Sequence, residues 1–265
     1  VIIPLYNKEA EIERTLRSVL AQTLAPHEIV IVDDGSTDRS VERVEAINSP
    51  LVKLHRQANA GSAVARNRAI ELAEGEYIAM IDADDEWTPD YLAEIARLIE
   101  LYPDCGGWCS GFDIVSEDGT FAGDTPQYEG VVEDYFAEAM KRYVCITSAT
   151  TIARRVFDEV GGFPVGMRMG QDTYMWIKLA RNYRVATTPK RLCRYNRAAQ
   201  NRTPSIYRGD DGTASFRDFY TAGREPMLDE YAARIGLSRA IIISAKGGTE
   251  EARDTEQFFS YTKLN

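Results

Sequence analysis

Two apolar runs of strand length that stop abruptly in carboxylates constrain this chain more than any other feature. Ile29-Val30-Ile31-Val32 runs into Asp33-Asp34-Gly35-Ser36, and Tyr77-Ile78-Ala79-Met80-Ile81 runs into Asp82-Ala83-Asp84-Asp85. Short continuous apolar runs read as buried strands. A buried strand does not end in stacked negative charge without a partner, because desolvating unpaired carboxylates is costly. In parallel α/β sheets ligands sit beyond the carboxyl ends of the strands, so two adjacent strands ending in aspartates build one site. Period-two alternation puts Asp82 and Asp84 on the same side, where their oxygens can address one hard cation. The alternative at this point is a solvated acidic turn ahead of the next helix.

The surrounding pattern fits such a sheet. Residues 1–5 read as a strand, followed by a helix over 9–22 with Ile12, Leu16, Val19 and Leu20 on one face. A strand over 27–32, a helix to about 47 capped by Ser36 or Thr37, a short strand over 51–55 and a helix from Ser62 follow. Residues 77–81 form the fourth strand, and Thr88-Pro89 opens the next helix as cap and first residue. Alternating strands and helices imply a parallel sheet built from right-handed crossovers. After Pro103 the regularity changes: strands over 106–115 and 146–153 flank an acidic helix over 131–142. A helix over 171–182 and a strand within 183–195 come next. From about residue 211 the pattern is helical, with no recognisable chemistry.

At 265 residues and 44% hydrophobic, the chain can bury one large core. No run approaches the roughly 18 apolar residues of a membrane span, and no secretory signal is visible. Net charge of −10 argues against nucleic acid as a partner. The scattered Cys105, Cys109, Cys145 and Cys193 complete no zinc site, and His27 and His55 are too few for a histidine-rich one. Reduced thiols and a cytoplasmic location are expected, with peripheral association at the inner membrane surface left open. The charge is uneven. Residues 173–209 hold nine Lys and Arg and no Asp or Glu, leaving the rest of the chain at −19 for the net −10. Such a segment opposite an acidic site suits a metal-bridged polyphosphate; the alternative is a basic surface or membrane-facing patch.

Several chemistries are excluded. An EF-hand starting at Asp82 needs Gly and Glu where the chain has Trp87 and Ala93. Neither a G-x-G-x-x-G turn nor a Walker loop follows the first strand, which runs into Tyr6-Asn7-Lys8-Glu9. A sugar-phosphate nucleotidyltransferase would carry a Gly-rich basic loop there. In order, the chain holds Pro4-Leu5-Tyr6-Asn7, Val32-Asp33-Asp34-Gly35-Ser36-Thr37-Asp38, Asn59-Ala60-Gly61 and Ala65-Arg66-Asn67. Then come Gly75-Glu76-Tyr77-Ile78, Asp82-Ala83-Asp84-Asp85, Gly161-Gly162-Phe163 and Gln171-Asp172. Over residues 1–197 this series resembles the family 2 inverting glycosyltransferases with the GT-A fold.

The resemblance implies an α/β fold with a mostly parallel, Rossmann-like central sheet flanked by helices. It divides into a nucleotide-sugar-binding half (1–103), an acceptor-binding half (104–210) and a helical C-terminal extension (211–265). It implies that Tyr6, beside Pro4, stacks on the nucleobase and that Asp34 accepts a hydrogen bond from the base imide, favouring uracil or thymine. Asp33 supports the loop. Arg66 contacts base or phosphate; a surface salt bridge is its alternative, as ordinary core is for Tyr6 and a turn role for Asp34. Asp82-x-Asp84 matches the family's D-x-D motif: Asp84 on Mg²⁺ or Mn²⁺, and Asp82 on the ribose or reaching the metal through water. Asp85 lies behind them or caps the helix. Asp172 matches the catalytic base, with Gln171 replacing the usual Glu; a pure helix-capping role is the alternative. Trp176 is either a sugar-stacking platform or core.

The expected activity is metal-dependent, inverting transfer of one sugar from a UDP-sugar or similar donor to a glycan or lipid-linked acceptor. A catalytically silent nucleotide-sugar-binding module is the rival, and a nucleotidyltransferase a weaker one. Arg194, Arg197 and Arg202 are expected to form a lid that meets the donor pyrophosphate. The competing role for these arginines is holding an anionic acceptor.

Overall fold

The structure, a computed structural model, describes residues 1–199, 213–260 and 262. The first third is the expected alternation: β1 (Ile2–Leu5), α1 (Ile12–Leu20), β2 (Ile29–Asp33), α2 (Ser40–Ile47), β3 (Val52–Arg56), α3 (Ser62–Leu72) and β4 (Tyr77–Ala79). β1 pairs in parallel with β2, and β2 with β3. A parallel bridge between Ile2 and Met80 continues the order toward β4. Every residue of β2 is buried, which is why its sequence is apolar without alternation. α1 turns Ile12, Leu16 and Val19 inward at helical spacing.

The second part mixes directions. It comprises β5 (Glu86–Trp87), α4 (Tyr91–Leu101), β6 (Gly107–Ser116), β7 (Gly119–Ala122), β8 (Gly130–Val131), α5 (Tyr135–Ala139), β9 (Thr150–Ala153), α6 (Arg154–Val160), α7 (Gln171–Asn182) and β10 (Val185–Asn196). β9 lies antiparallel between β4 and β6; β10 runs parallel to β6 and antiparallel to β5. One core, including Trp108 and Tyr91, runs from the first strand to Cys193. The tail folds as a 3-10 turn (Phe216–Phe219), α8 (Pro226–Ala245) and α9 (Thr249–Phe258). Phe216, Phe219, Leu228 and Ala232 pack with Ile177 of α7 in a second core. At roughly 1.5–3 kcal/mol for each large buried side chain, this anchors α8 beside α7. Gly236 lets the tail close, because a Cβ there would sit 2.4 Å from the Phe259 ring.

Boundaries differ from the sequence reading where tertiary partners intervene. The helix expected over 131–142 shrinks to α5, since Val131 pairs with Ala186 and Asp134 caps the helix by accepting from the Ala137 N–H. The strand expected from residue 146 begins at Thr150, after a 3-10 turn in which the Thr150 hydroxyl bonds the Ile146 carbonyl. α4 starts at Tyr91 with Asp90 rather than Thr88 in the cap position, and the Thr88 N–H bonds the Leu192 carbonyl. α7 has the bounds expected of it.

Candidate active site

The ends of β1, β2 and β4 meet in a web of loop hydrogen bonds. Asn7, in a left-handed conformation (φ 50°), donates its N–H to Ser36 and accepts from the Thr37 N–H at 2.7 Å. Lys8 N–H bonds the Ser40 hydroxyl and Glu9 N–H bonds Asp38. The Asp-Gly-Ser-Thr-Asp loop is thereby stitched to the loop after β1, at whose edge Tyr6 is 40% exposed. Asp33 accepts from the Ser36 N–H, the supporting role expected of it.

Asp34 does more than its motif implies. Its buried carboxylate accepts from Gln57 Nε2 at 2.8 Å and from the N–H groups of Ala60 and Gly61 at 2.9 and 2.8 Å. It therefore clamps residues 57–61, the entry to α3, against the end of β2.

α3 projects Arg66 toward the acidic cluster. Its guanidinium is only 7% exposed, bonds Asp82 at 2.5 Å and lies 5.4 Å over the Phe163 ring, while Nε is buried without a partner. Burial alone would lower its pKa. The charges of Asp82, Asp172 and Asp84 outweigh that and raise it above the usual arginine value. Asp172 thus acts on Arg66, and it lines the same cavity as Asp82, ninety residues away in sequence.

Asp84 pairs with Lys8 at 2.8 Å, an interaction with no sequence signal. Burial and then the Asp82 charge push the Asp84 carboxyl above its ordinary range, against the pull of Lys8. Asp85 is buried, bonding the Ser148 hydroxyl and the Asn196 N–H, so it ties the end of β10 to the loop before β9. The donor set here is hard oxygen from two carboxylates whose mutual repulsion a cation would relieve, which fits Mg²⁺ or Mn²⁺. Among the described residues no cluster of three or more His, Cys, Asp or Glu side chains could hold a metal, so water and ligand oxygens would complete the sphere.

Asp172 sits in the first turn of α7, where one oxygen accepts from the Thr173 N–H at 2.7 Å. It thus contributes to capping and also opens onto a cavity of about 620 Å³ shared with Asp82, Trp176, Tyr143, Tyr195 and Arg197. Gln171 donates to the Ser62 hydroxyl at 2.6 Å, pinning the start of α7 to the start of α3; a carboxylate could not donate that bond. Trp176 is buried edge-on against Phe163 and touches the cavity only as part of its wall.

The basic stretch is largely spent on the body of the protein. Arg181 pairs with Glu225, Lys190 with Glu94, Arg191 with Asp113 and Arg194 with Glu86. Arg194 stands opposite Glu86 in the β10–β5 register, so the structure holds it at that strand pair rather than in the cavity wall. Arg197 lines the cavity; Arg202 and Arg208 lie outside the described residues. Sequence reading missed the tail's contribution: Tyr231, Arg234, Ile235 and Ser238 of α8 form one wall. Their i, i+3, i+4, i+7 spacing on one helical face was the available signal.

A strand-ended acidic pair, a buried arginine and a cavity-lining carboxylate thus gather on a Rossmann-like sheet, and similarity to known proteins gives the family. Residues 1–161 match the model for glycosyl transferase family 2, and the chain belongs to that family. The glycosyltransferase YibD of Escherichia coli strain K12 is 53% identical over 91 residues, 34% of this chain and 26% of that protein. TuaG of Bacillus subtilis strain 168, named for teichuronic acid biosynthesis, is 37% identical over 123 residues, 45% of this chain and 48% of its own. The chain thus spans about half or less of the length of these relatives. The crystal structure of S. aureus TarS 1-349 in complex with UDP-GlcNAc aligns with all of this chain and 73% of that one, at TM-score 0.68 and 20% identity. The likeness shows a shared fold. Among the described residues no helix is long and apolar enough to cross a membrane.

Proposed function

We propose that this chain transfers a single sugar from a nucleoside diphosphate sugar, with UDP as the preferred carrier, to an acceptor hydroxyl with inversion, in glycan or polysaccharide assembly. The observation that carries the reading is that Asp82, paired with the buried Arg66 and two residues before Asp84, lines the same cavity as Asp172. The UDP-bound TarS structures and the TuaG name support the donor and the polymer context.

In this reading the nucleotide lies along the strand ends, its base on Tyr6 beside Pro4 and its imide toward the acceptor capacity that Asp34 Oδ2 keeps beside its bond from Gly61. Asp82 meets the ribose, and Arg66 holds Asp82 in place and faces the phosphates. Mg²⁺ or Mn²⁺, when bound at Asp84 and Asp82, would supply positive charge to the departing diphosphate. Asp172 accepts the proton of the acceptor hydroxyl as its oxygen forms a bond to the anomeric carbon. The bond from that carbon to the phosphate oxygen breaks on the opposite face, and its electrons leave with the nucleoside diphosphate.

Asp172→Asn keeps the shape and removes the base. Donor hydrolysis and transfer should fall by roughly 10²-fold or more, with UDP affinity in calorimetry unchanged. Unaltered turnover would remove Asp172 from the chemistry, and a parent protein that binds UDP but turns over no donor would favour a silent binding module.

A further inference from the structure

Two cations on the cavity lining are the least explained part of this site. Arg197, on the segment after β10, and Arg234, on α8, reach it from elements that are remote in sequence. Both are exposed, and neither pairs with a carboxylate among the described residues. Arg234 instead donates to the Met140 carbonyl at the end of α5. Their neighbours differ: Arg142 is held by Glu138 and the Thr125 carbonyl. Arg181, Lys190, Arg191 and Arg194 each have a carboxylate partner. In a chain of net charge −10, two cations on one cavity with no acidic partner among the described residues are placed to take an anion.

Asp172 stands on the same cavity and sets its polarity. An acceptor hydroxyl must reach Asp172, so the remaining lining of the cavity meets the rest of the acceptor. Tyr231 lines the same cavity and is kept protonated by burial and by Cys145 and Asp172, so its hydroxyl can donate as well. The two arginines and the Tyr231 hydroxyl thus offer donors suited to phosphate or carboxylate oxygens, while Asp124 on the same cavity pairs with Arg142.

We propose that Arg197 and Arg234, with the C-terminal helix α8 as scaffold, form a subsite for an anionic group carried by the acceptor, a phosphate or a carboxylate a few bonds from the hydroxyl that Asp172 deprotonates. The proposal rests on the transfer reading above. It makes the tail, outside the matched family region, a determinant of acceptor choice rather than a structural appendage.

The test uses the full chain saturated with UDP and Mn²⁺, titrated by calorimetry with glucose 6-phosphate, glucuronate and glucose. Phosphatidylglycerol and phosphatidylcholine vesicles are compared by co-sedimentation. The anionic sugars should bind more than about tenfold tighter than glucose, a preference lost in the Arg197→Gln, Arg234→Gln double variant. UDP affinity and thermal midpoint should stay as in the parent. Binding to phosphatidylglycerol alone, lost in the same variant, supports the subsite with a lipid headgroup as its source. Equal binding of charged and neutral probes in both formats overturns the proposal, as does weakened UDP binding in Arg197→Gln, which would move that arginine to the donor. No UDP binding by the parent protein would sink the transfer reading itself, and this inference with it.

Discussion

Asp34→Ala separates a folding role from a recognition role at the residue where the two overlap. The Asp34 carboxylate accepts three hydrogen bonds, from Gln57, Ala60 and Gly61, at 2.8 to 2.9 Å. Bonds to a charged acceptor net about 1.5–3 kcal/mol each when the freed donor stays buried. Ala60 and Gly61 are exposed, so their N–H groups can turn to water and only part of that is lost. The three bonds share one loop and are not additive, which leaves an expected loss of about 2–3 kcal/mol. For a chain of this size that corresponds to a melting point about 4–12 °C lower. Urea unfolding of parent, Asp34→Ala and Asp34→Asn provides the measurement. Asn keeps one acceptor oxygen but presents an amide to the Gly61 N–H, so it should fall between the other two. The folded Asn variant then allows the base pocket to be assayed: UDP should bind about 1–3 kcal/mol more weakly, and adenosine diphosphate much less so. A stability change in Asp34→Ala below about 0.5 kcal/mol would refute the clamp. Equal losses for both nucleotides would refute base recognition.

Three further outcomes follow from the same geometry. UDP should bind far more tightly with Mn²⁺ than with chelator, and Asp84→Ala should erase the difference; equal affinity in chelator would end the metal assignment. Gly162→Ala places a Cβ 2.3 Å from Asn67 Oδ1, which bonds the Phe163 N–H, so denaturation should show a loss of roughly 1–3 kcal/mol. Glu94, hydrogen-bonded first of all by Arg97 and also by Lys190 and Thr188, has its pKa lowered to about 2. A depressed carboxylate stabilises the fold above its unfolded pKa and loses that contribution as pH falls toward 2. Glu94→Gln should therefore destabilise at neutral pH and flatten the acid limb of the stability curve; parallel curves would contradict the assignment.

Local pattern alone determined the strand-helix alternation of the first hundred residues, the bounds of α7 and the identity of the acidic strand ends. These are legible because buried strands and amphipathic helices impose periods of 2 and 3.6 on neighbouring residues, and because Asp at a buried strand end is costly without a purpose. The motif series also marked Arg66 and Asp172 without showing that they share a site. Tertiary structure decided what the charges do. Nine cations in residues 173–209 look like a reservoir for anions in one dimension. In three, β10 lies beside β5, β6 and α4, whose Glu86, Asp113 and Glu94 neutralise Arg194, Arg191 and Lys190. Pairing across space depends on sheet order and register, which no local window contains. The same holds for Lys8 on Asp84, for the loop clamp of Asp34 and for α8 lining the acceptor cavity. Each joins residues between about 25 and 150 positions apart, where sequence periodicity carries no information and only the packed core brings the side chains together.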